Sequence, residues 1–164
     1  SHDTYLRYVQ TEILAQLGIA SSEFKAAQSK LENHDPREPI YSSTDICPSV
    51  FTKDKEALCT EEGVNGDNLI GVGMAITTAK TMALFAQTYS LPDANDSVSA
   101  YRVSGELLGP GKTHDGIHDG QLPGSATIVR QLPSGVSYAI FLNNLPEDFD
   151  FLSSLQRLDM LANE

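Results

Sequence analysis

Pro133-Ser134-Gly135 divides the C-terminal third of the chain into two runs that read as one hairpin. Proline at the second position and glycine at the fourth are what a tight turn favours. Residues 125–132 alternate apolar and polar, the pattern of a strand with one covered face. Residues 136–143 are nearly continuous in apolar side chains, as in a central strand covered on both faces. Upstream, residues 101–108, closed by Gly109-Pro110-Gly111, and residues 112–118 read as two further strands. Sequential hairpins make such a sheet antiparallel.

Helical periodicity flanks this sheet. Leu6, Val9, Ile13 and Leu17 recur at spacings of three and four, so a helix is expected over 3–17. Asp3 is its expected cap and Gly18 its left-handed stop. Ser21 or Ser22 opens a second expected helix, 21–33. Residues 34–66 are rich in Pro, Ser, Thr, Asp and Asn. They read as a long irregular excursion with short helical or extended pieces, of the kind that serves a site or packs on a neighbour. Gly71-Val72-Gly73-Met74 leads into Ala75-Ile76-Thr77-Thr78. Thr77 or Thr78 caps a helix reaching about Tyr89, with Met82, Phe85, Ala86 and Tyr89 on its buried face. Leu91-Pro92-Asp93 ends it, and residues 93–99 are a polar linker. Pro146 opens a last helix, with Glu147 and Asp148 suited to its N-terminal dipole. Phe151, Leu155, Leu158 and Ala162 form its expected inner stripe. The expected class is α+β: one domain over residues 1–164, with an antiparallel sheet of about four strands (roughly 101–143) packed with N-terminal and C-terminal helices.

Composition narrows the partners. The 164 residues suffice for one domain with a real core, and 40% hydrophobic content argues against disorder. A formal net charge of -11 disfavours nucleic acid or an anionic membrane surface. No apolar run is long enough to span a bilayer. The polar start Ser1-His2-Asp3 is not that of a signal peptide, and removal of one from a precursor fits it equally. Cys47 and Cys59 are separated by a polar, loop-like stretch. They form either a disulfide closing a short loop, worth roughly 3 kcal/mol, or two reduced thiols. The even, loop-borne pair favours the disulfide. No His or Cys lies at zinc-ligand spacing from them.

Several motifs bear on chemistry. Gly109-x-Gly111-Lys112-Thr113 fails as a phosphate loop, because Glu106 stands where the first glycine belongs. Asp93-x-Asn95-x-Ser97 fails as a calcium loop, because Val98 replaces the glycine and Ser104 the closing glutamate. His114 and His118 share one strand face but lie about 13 Å apart, too far to share a metal without a bend. Ser22-x-x-Lys25 has the spacing that brings an amine beside a hydroxyl on a helix. A serine that simply caps a surface helix explains it more economically. In Thr113-His114-Asp115-Gly116-Ile117-His118-Asp119-Gly120-Gln121-Leu122-Pro123-Gly124, glycines and a proline follow His118. Bare backbone beside an imidazole can point N–H groups at a ligand, and it can equally form a hairpin corner.

Five segments in order resemble the beta-lactamase-related serine hydrolases, the group of class C beta-lactamases, DD-peptidases and esterases of that fold. Tyr5-Leu6-Arg7-Tyr8-Val9 through Ile13-Leu14-Ala15-Gln16-Leu17-Gly18-Ile19 resembles a family helix ending in Pro-Leu-Gly-Met, with Gln16 in the place of Pro. Gly73-Met74, then Thr78-Ala79-Lys80-Thr81-Met82-Ala83-Leu84-Phe85, resembles Gly-Leu followed by Thr-Ala-x-Asp-Met-Ala-x-Phe, with Thr81 for Asp. Tyr101-Arg102-Val103-Ser104-Gly105 resembles a Tyr-Gly-x-Gly strand. His118-Asp119-Gly120-Gln121-Leu122-Pro123-Gly124 resembles the His-x-Gly…Pro-Gly element, the counterpart of Lys-Thr-Gly. The hairpin to Phe141-Leu142-Asn143 is the fifth segment.

The resemblance implies a partial beta-lactamase-like fold and a catalytic edge made of His118, Gly120 and Gln121. His118 would line an acyl-transfer pocket, and the backbone N–H of Gln121 would supply half of an oxyanion hole, worth about 3 kcal/mol in such sites. In the family, the Ser-x-x-Lys nucleophile and a Tyr-x-Asn/Ser element precede the helix matched by residues 4–18. Ser22-x-x-Lys25 and Tyr41-Ser42-Ser43 follow it and lie too close together, so no catalytic role passes to them. The chain is thus expected to be the C-terminal portion of such a hydrolase, inactive alone. The complete protein would act on a small-molecule or peptide acyl substrate without cofactor or metal. A non-catalytic binding or assembly module derived from the fold is the alternative. The acidic charge and paired cysteines point to a periplasmic or extracellular protein. Apolar surface left uncovered would favour a homodimer or domain swap.

Overall fold

A computed structural model describes residues 2–27, 33–66, 69–70, 73–94, 107–109, 112–145 and 150–163. It is mixed α+β, with helices and small antiparallel sheets. Two compact units share the chain. The first comprises Ser1–Thr78, Gln121–Ala126 and Leu142–Leu145; the second comprises Ala79–Gly120, Thr127–Phe141 and Pro146–Glu164.

In the first unit, helix α1 (His2–Tyr8) widens into a π-helical stretch at Val9–Leu14 and tightens to a 3-10 turn at Ala15–Leu17. Gly18, at φ +69, stops it as expected. Asp3 lies inside the first turn rather than ahead of it. The Thr11 hydroxyl donates to the Arg7 carbonyl at 2.9 Å, a bond that competes with the backbone ladder. The wider π turn rotates the apolar stripe. Leu6, Val9, Ile13 and Leu17 end half-buried, while Leu14, outside the expected stripe, is 2% exposed.

The helix expected over 21–33 does not form where the chain is described. Ser21–Glu23 is a single 3-10 turn leading into strand β1 (Phe24–Ala26), and residues 28–32 lie outside the described residues. Too few apolar residues recur at helical spacing to anchor a helix here. Phe24 instead buries itself from a strand. Strand β1 pairs antiparallel with the later β4 (Ala75–Thr77), Phe24 opposite Thr77. The excursion over 34–66 holds the short pieces expected of it. Strands β2 (Ile46–Pro48) and β3 (Glu56–Leu58) pair antiparallel, and the short helix α2 (Cys59–Glu62) follows. Cys47 and Cys59 form a disulfide. At the hairpin tip the Ser49 hydroxyl accepts from the Phe51 and Thr52 amides and donates to Glu62 at 2.5 Å.

In the second unit, helix α3 (Ala79–Thr88) follows Thr78 directly. Ala86, Leu91 and Val129 form its core, with Met82, Phe85 and Ala139 packed on them. Gln131 ties the end of α3 to the sheet. Its amide donates to the carbonyls of Ala86 and Tyr89 and accepts from the Leu91 amide at 2.7 Å. These are backbone groups that a helix end leaves unpaired.

The main sheet has the order β5 (Gly116–Leu122), β6 (Ser125–Gln131), β7 (Ser137–Leu142). The short loops between these strands require antiparallel pairing. The turn at Pro133-Ser134-Gly135 is as expected: the Gly135 amide donates to the Leu132 carbonyl at 2.8 Å, with Gly135 at φ +87. Two expectations are corrected. The strand expected over 112–118 starts at Gly116 and runs to Leu122, because the corner is Pro123-Gly124, with Gly124 at φ +74. His114 and Asp115 are instead held by side-chain bonds, to the Leu91 carbonyl and to Arg130. The second correction is that β6, not the apolar 136–143 run, is central, since it alone pairs on both sides; β7 is half-buried throughout. Among the described residues the sheet has three strands. Of the first expected strand, 101–108, residues 101–106 lie outside the described residues, and Leu107 only bridges Tyr89.

Helix α4 (Phe151–Leu161) is capped by Asp150, whose carboxylate accepts from the Ser153 amide at 3.0 Å. The expected opening at Pro146 lies outside the described residues. Leu155 and Ala162 are half-buried as the stripe requires, but Leu158 is exposed and Asp159 is half-buried. The reason is electrostatic: Asp159 reaches Arg130 Nε at 3.2 Å and the Tyr138 hydroxyl at 2.5 Å.

Candidate functional site

His118, Gly120 and Gln121 stand within one five-residue stretch of β5. From His118 to Leu122 every residue is exposed. Side chains alternate along a strand, so His118 and Gly120 share a face with Leu122, and Gln121 shares the other with Asp119. The Ile117 amide donates away from β6, to the Pro92 carbonyl at 2.9 Å. The same two-residue period directs the Asp119 and Gln121 amides to that outer edge. The Gly120 carbonyl points the other way, accepting from the Thr127 hydroxyl at 3.5 Å. Among the described residues, no strand pairs with the outer edge of β5 beyond the Asp93–Gly116 bridge.

The corner that follows Gln121 is tightly backed. A Cβ on Gly124 would come within 2.8 Å of Thr60 Cγ2 and 3.0 Å of the Ser42 carbonyl oxygen. Ser42 is fixed in turn, its amide donating to the Asn143 carbonyl at 3.2 Å. The Asn143 side chain donates to the Ile40 carbonyl at 3.0 Å. Sequence reasoning missed Ser42 and Thr60. The glycine after Pro123 was the available signal, since it marks a backbone position that something approaches closely.

Ser22 and Lys25 are not assembled for nucleophilic chemistry. They sit on a 3-10 turn and a strand, so the helical spacing that would join them is absent. Lys25 Nζ lies 2.6 Å from Asp35 Oδ2, an ion pair that turns the lysine away from Ser22. Arg37 and Lys25 together hold the Asp35 carboxyl well below the usual carboxylate range. Tyr41 is no base either. Burial, then the Glu38 carboxylate, push its phenol up to about 12.

The other polar cluster is a structural staple. Arg130, 8% exposed, donates from Nη1 to Asp115 at 2.5 Å and to the carbonyls of Gly116 and Gln131, and from Nε to Asp159. Burial works against its charge, and Asp115 and Asp159 outweigh it, so its pKa is raised. Two carboxylates leave this guanidinium little capacity for an anionic ligand. His114 Nε2 lies 2.7 Å from the Leu91 carbonyl. A carbonyl only accepts, so that nitrogen carries the proton. Among the described residues, no three His, Cys, Asp or Glu side chains gather as metal ligands. Nor is any helix among them long and apolar enough to cross a membrane.

Compared with protein-family models, curated proteins and solved structures, the chain matches none.

Proposed function

We propose that this chain is the C-terminal segment of a beta-lactamase-like serine hydrolase and forms one wall of its acyl-transfer site. The single observation that carries this is the edge of β5. A strand whose outer edge is exposed from His118 onward directs the Gln121 amide outward beside an exposed imidazole and an exposed glycine. A fixed backbone N–H is the donor an acyl-transfer oxyanion needs. The helix at 79–88 and the β5–β7 meander fall on segments that carry the resemblance. His118 would orient or hydrogen-bond the acyl substrate, a small molecule or a peptide. Serine and lysine would come from outside this chain, because Lys25 is committed to Asp35. The Cys47–Cys59 disulfide supports a periplasmic or extracellular setting.

A fluorophosphonate tests the reading, since an activated serine attacks its phosphorus, expels fluoride and is left as a phosphonyl ester whose oxygen mimics the oxyanion. The chain alone should remain unlabelled, while the complete protein is labelled on a serine outside residues 1–164. In that protein Gln121→Pro, which deletes the N–H, should slow labelling about 10²- to 10³-fold. Gln121→Ala, which keeps it, should not. Label within this chain, or indifference to Gln121→Pro, would overturn the reading. The engaged Lys25 also favours a second one, a non-catalytic binding module built on the same sheet; a complete protein that takes no label on any serine would select it.

A further inference from the structure

We propose that the Cys47–Cys59 disulfide sets the stiffness of the β5–β6 corner, so that its reduction loosens Gly120–Ala126 while the body of β6 stays paired. Two arms of the excursion back this corner, and the disulfide joins them. One arm runs from Ser42 to Cys47, and its Ser42 carbonyl would be 3.0 Å from a Cβ at Gly124. The other begins at Cys59, and the next residue, Thr60, would be 2.8 Å from the same point. The Cys59 amide also donates to the Asp45 carbonyl at 2.9 Å, so the arms meet beside the cross-link. Besides that bond, the arms share the three-residue β2–β3 ladder, the Ser49–Lys55–Glu62 bonds of the tip and two backbone bonds, from the Ser49 amide to the Lys55 carbonyl at 2.8 Å and from the Val50 amide to the Glu62 carbonyl at 2.9 Å. A two-stranded ladder this short is marginal in water by itself.

Cys47 is the more exposed partner; Cys59 is 5% exposed. An external dithiol would reduce the pair by thiol–disulfide exchange. It supplies two electrons and two protons, closes to its own disulfide and leaves two thiols on the protein. The corner follows Gln121 directly, so loosening it would blur the direction of the Gln121 amide. That catalytic consequence rests on the function proposed above; the backbone coupling does not.

Amide hydrogen exchange of this chain, with and without dithiothreitol, separates the two. With reduction verified by mass, exchange across Gly120–Ala126 should rise several-fold while Val129–Gln131 stays protected. An unchanged corner would overturn the inference. So would equal acceleration through α3 and β6, which would make the disulfide a staple of the whole chain. Thr60→Gly supplies an independent arm, because it keeps the disulfide and removes the Cγ2 contact; it should loosen the same amides without reductant. Either result leaves the Gln121→Pro labelling experiment to decide the function separately.

Discussion

At the scale of single residues, burial decides what a polar side chain does. Gln131 and Arg130 are 2% and 8% exposed, and each satisfies backbone groups that would otherwise be stranded. Neither role was legible in the sequence. Their partners, Ala86 and Tyr89 for one and Asp115 and Asp159 for the other, lie far away along the chain. Gln121 was named through the resemblance, and the direction of its amide follows from the strand period rather than from its side chain. Tyr41 carries a pH consequence. Its phenol titrates at 10.0 when unperturbed and is pushed up to about 12 in the fold. The folded chain therefore keeps a proton that the unfolded chain releases, so this stabilisation is full below pH 10 and falls as pH rises towards 12. Tyr138, raised by burial and its bond to Asp159, acts in the same direction. Urea midpoints at pH 8 and pH 11 should converge in Tyr41→Phe relative to the parent chain, and an identical alkaline loss in both would refute the assignment.

At the scale of elements, local chemistry predicted what local chemistry controls. The stop at Gly18, the turn at Pro133-Ser134-Gly135 and the disulfide hairpin need only neighbours in sequence. Elements that depend on distant partners were less legible. Strand β1 exists because Ala75–Thr77 lies beside it, and β6 is central because it has a strand on each side. An apolar run such as 136–143 announces burial but not position in the sheet. Helix α4 illustrates both cases. Its cap, Asp150, is local but was not read from the sequence, which expected the opening at Pro146, and its inward Asp159 follows a buried arginine. Asp150→Ala should lower stability by about 1 kcal/mol, read as a shift in the denaturation midpoint. Restoring the cap with Asp150→Ser should recover most of it; no loss in the alanine variant would mean that the Asp159 contacts alone hold the helix.

At the scale of the whole molecule, apolar exposure and charge oppose one another. Ile40, Leu107, Met160 and Leu161 are each more than 60% exposed, whereas a net charge of -11 repels a second copy. Salt weakens the repulsion and leaves the apolar attraction. Light scattering should therefore show association that grows with concentration and with ionic strength, and a monomer under all such conditions would count against it. The two compact units carry a different consequence. The chain passes from one to the other after residues 78, 120, 126, 141 and 145. Neither unit is a contiguous stretch of gene, so no single crossover could exchange one while keeping the other. A splice after residue 78 would keep the second unit whole and divide the first, so the two units differ in what recombination can do to them.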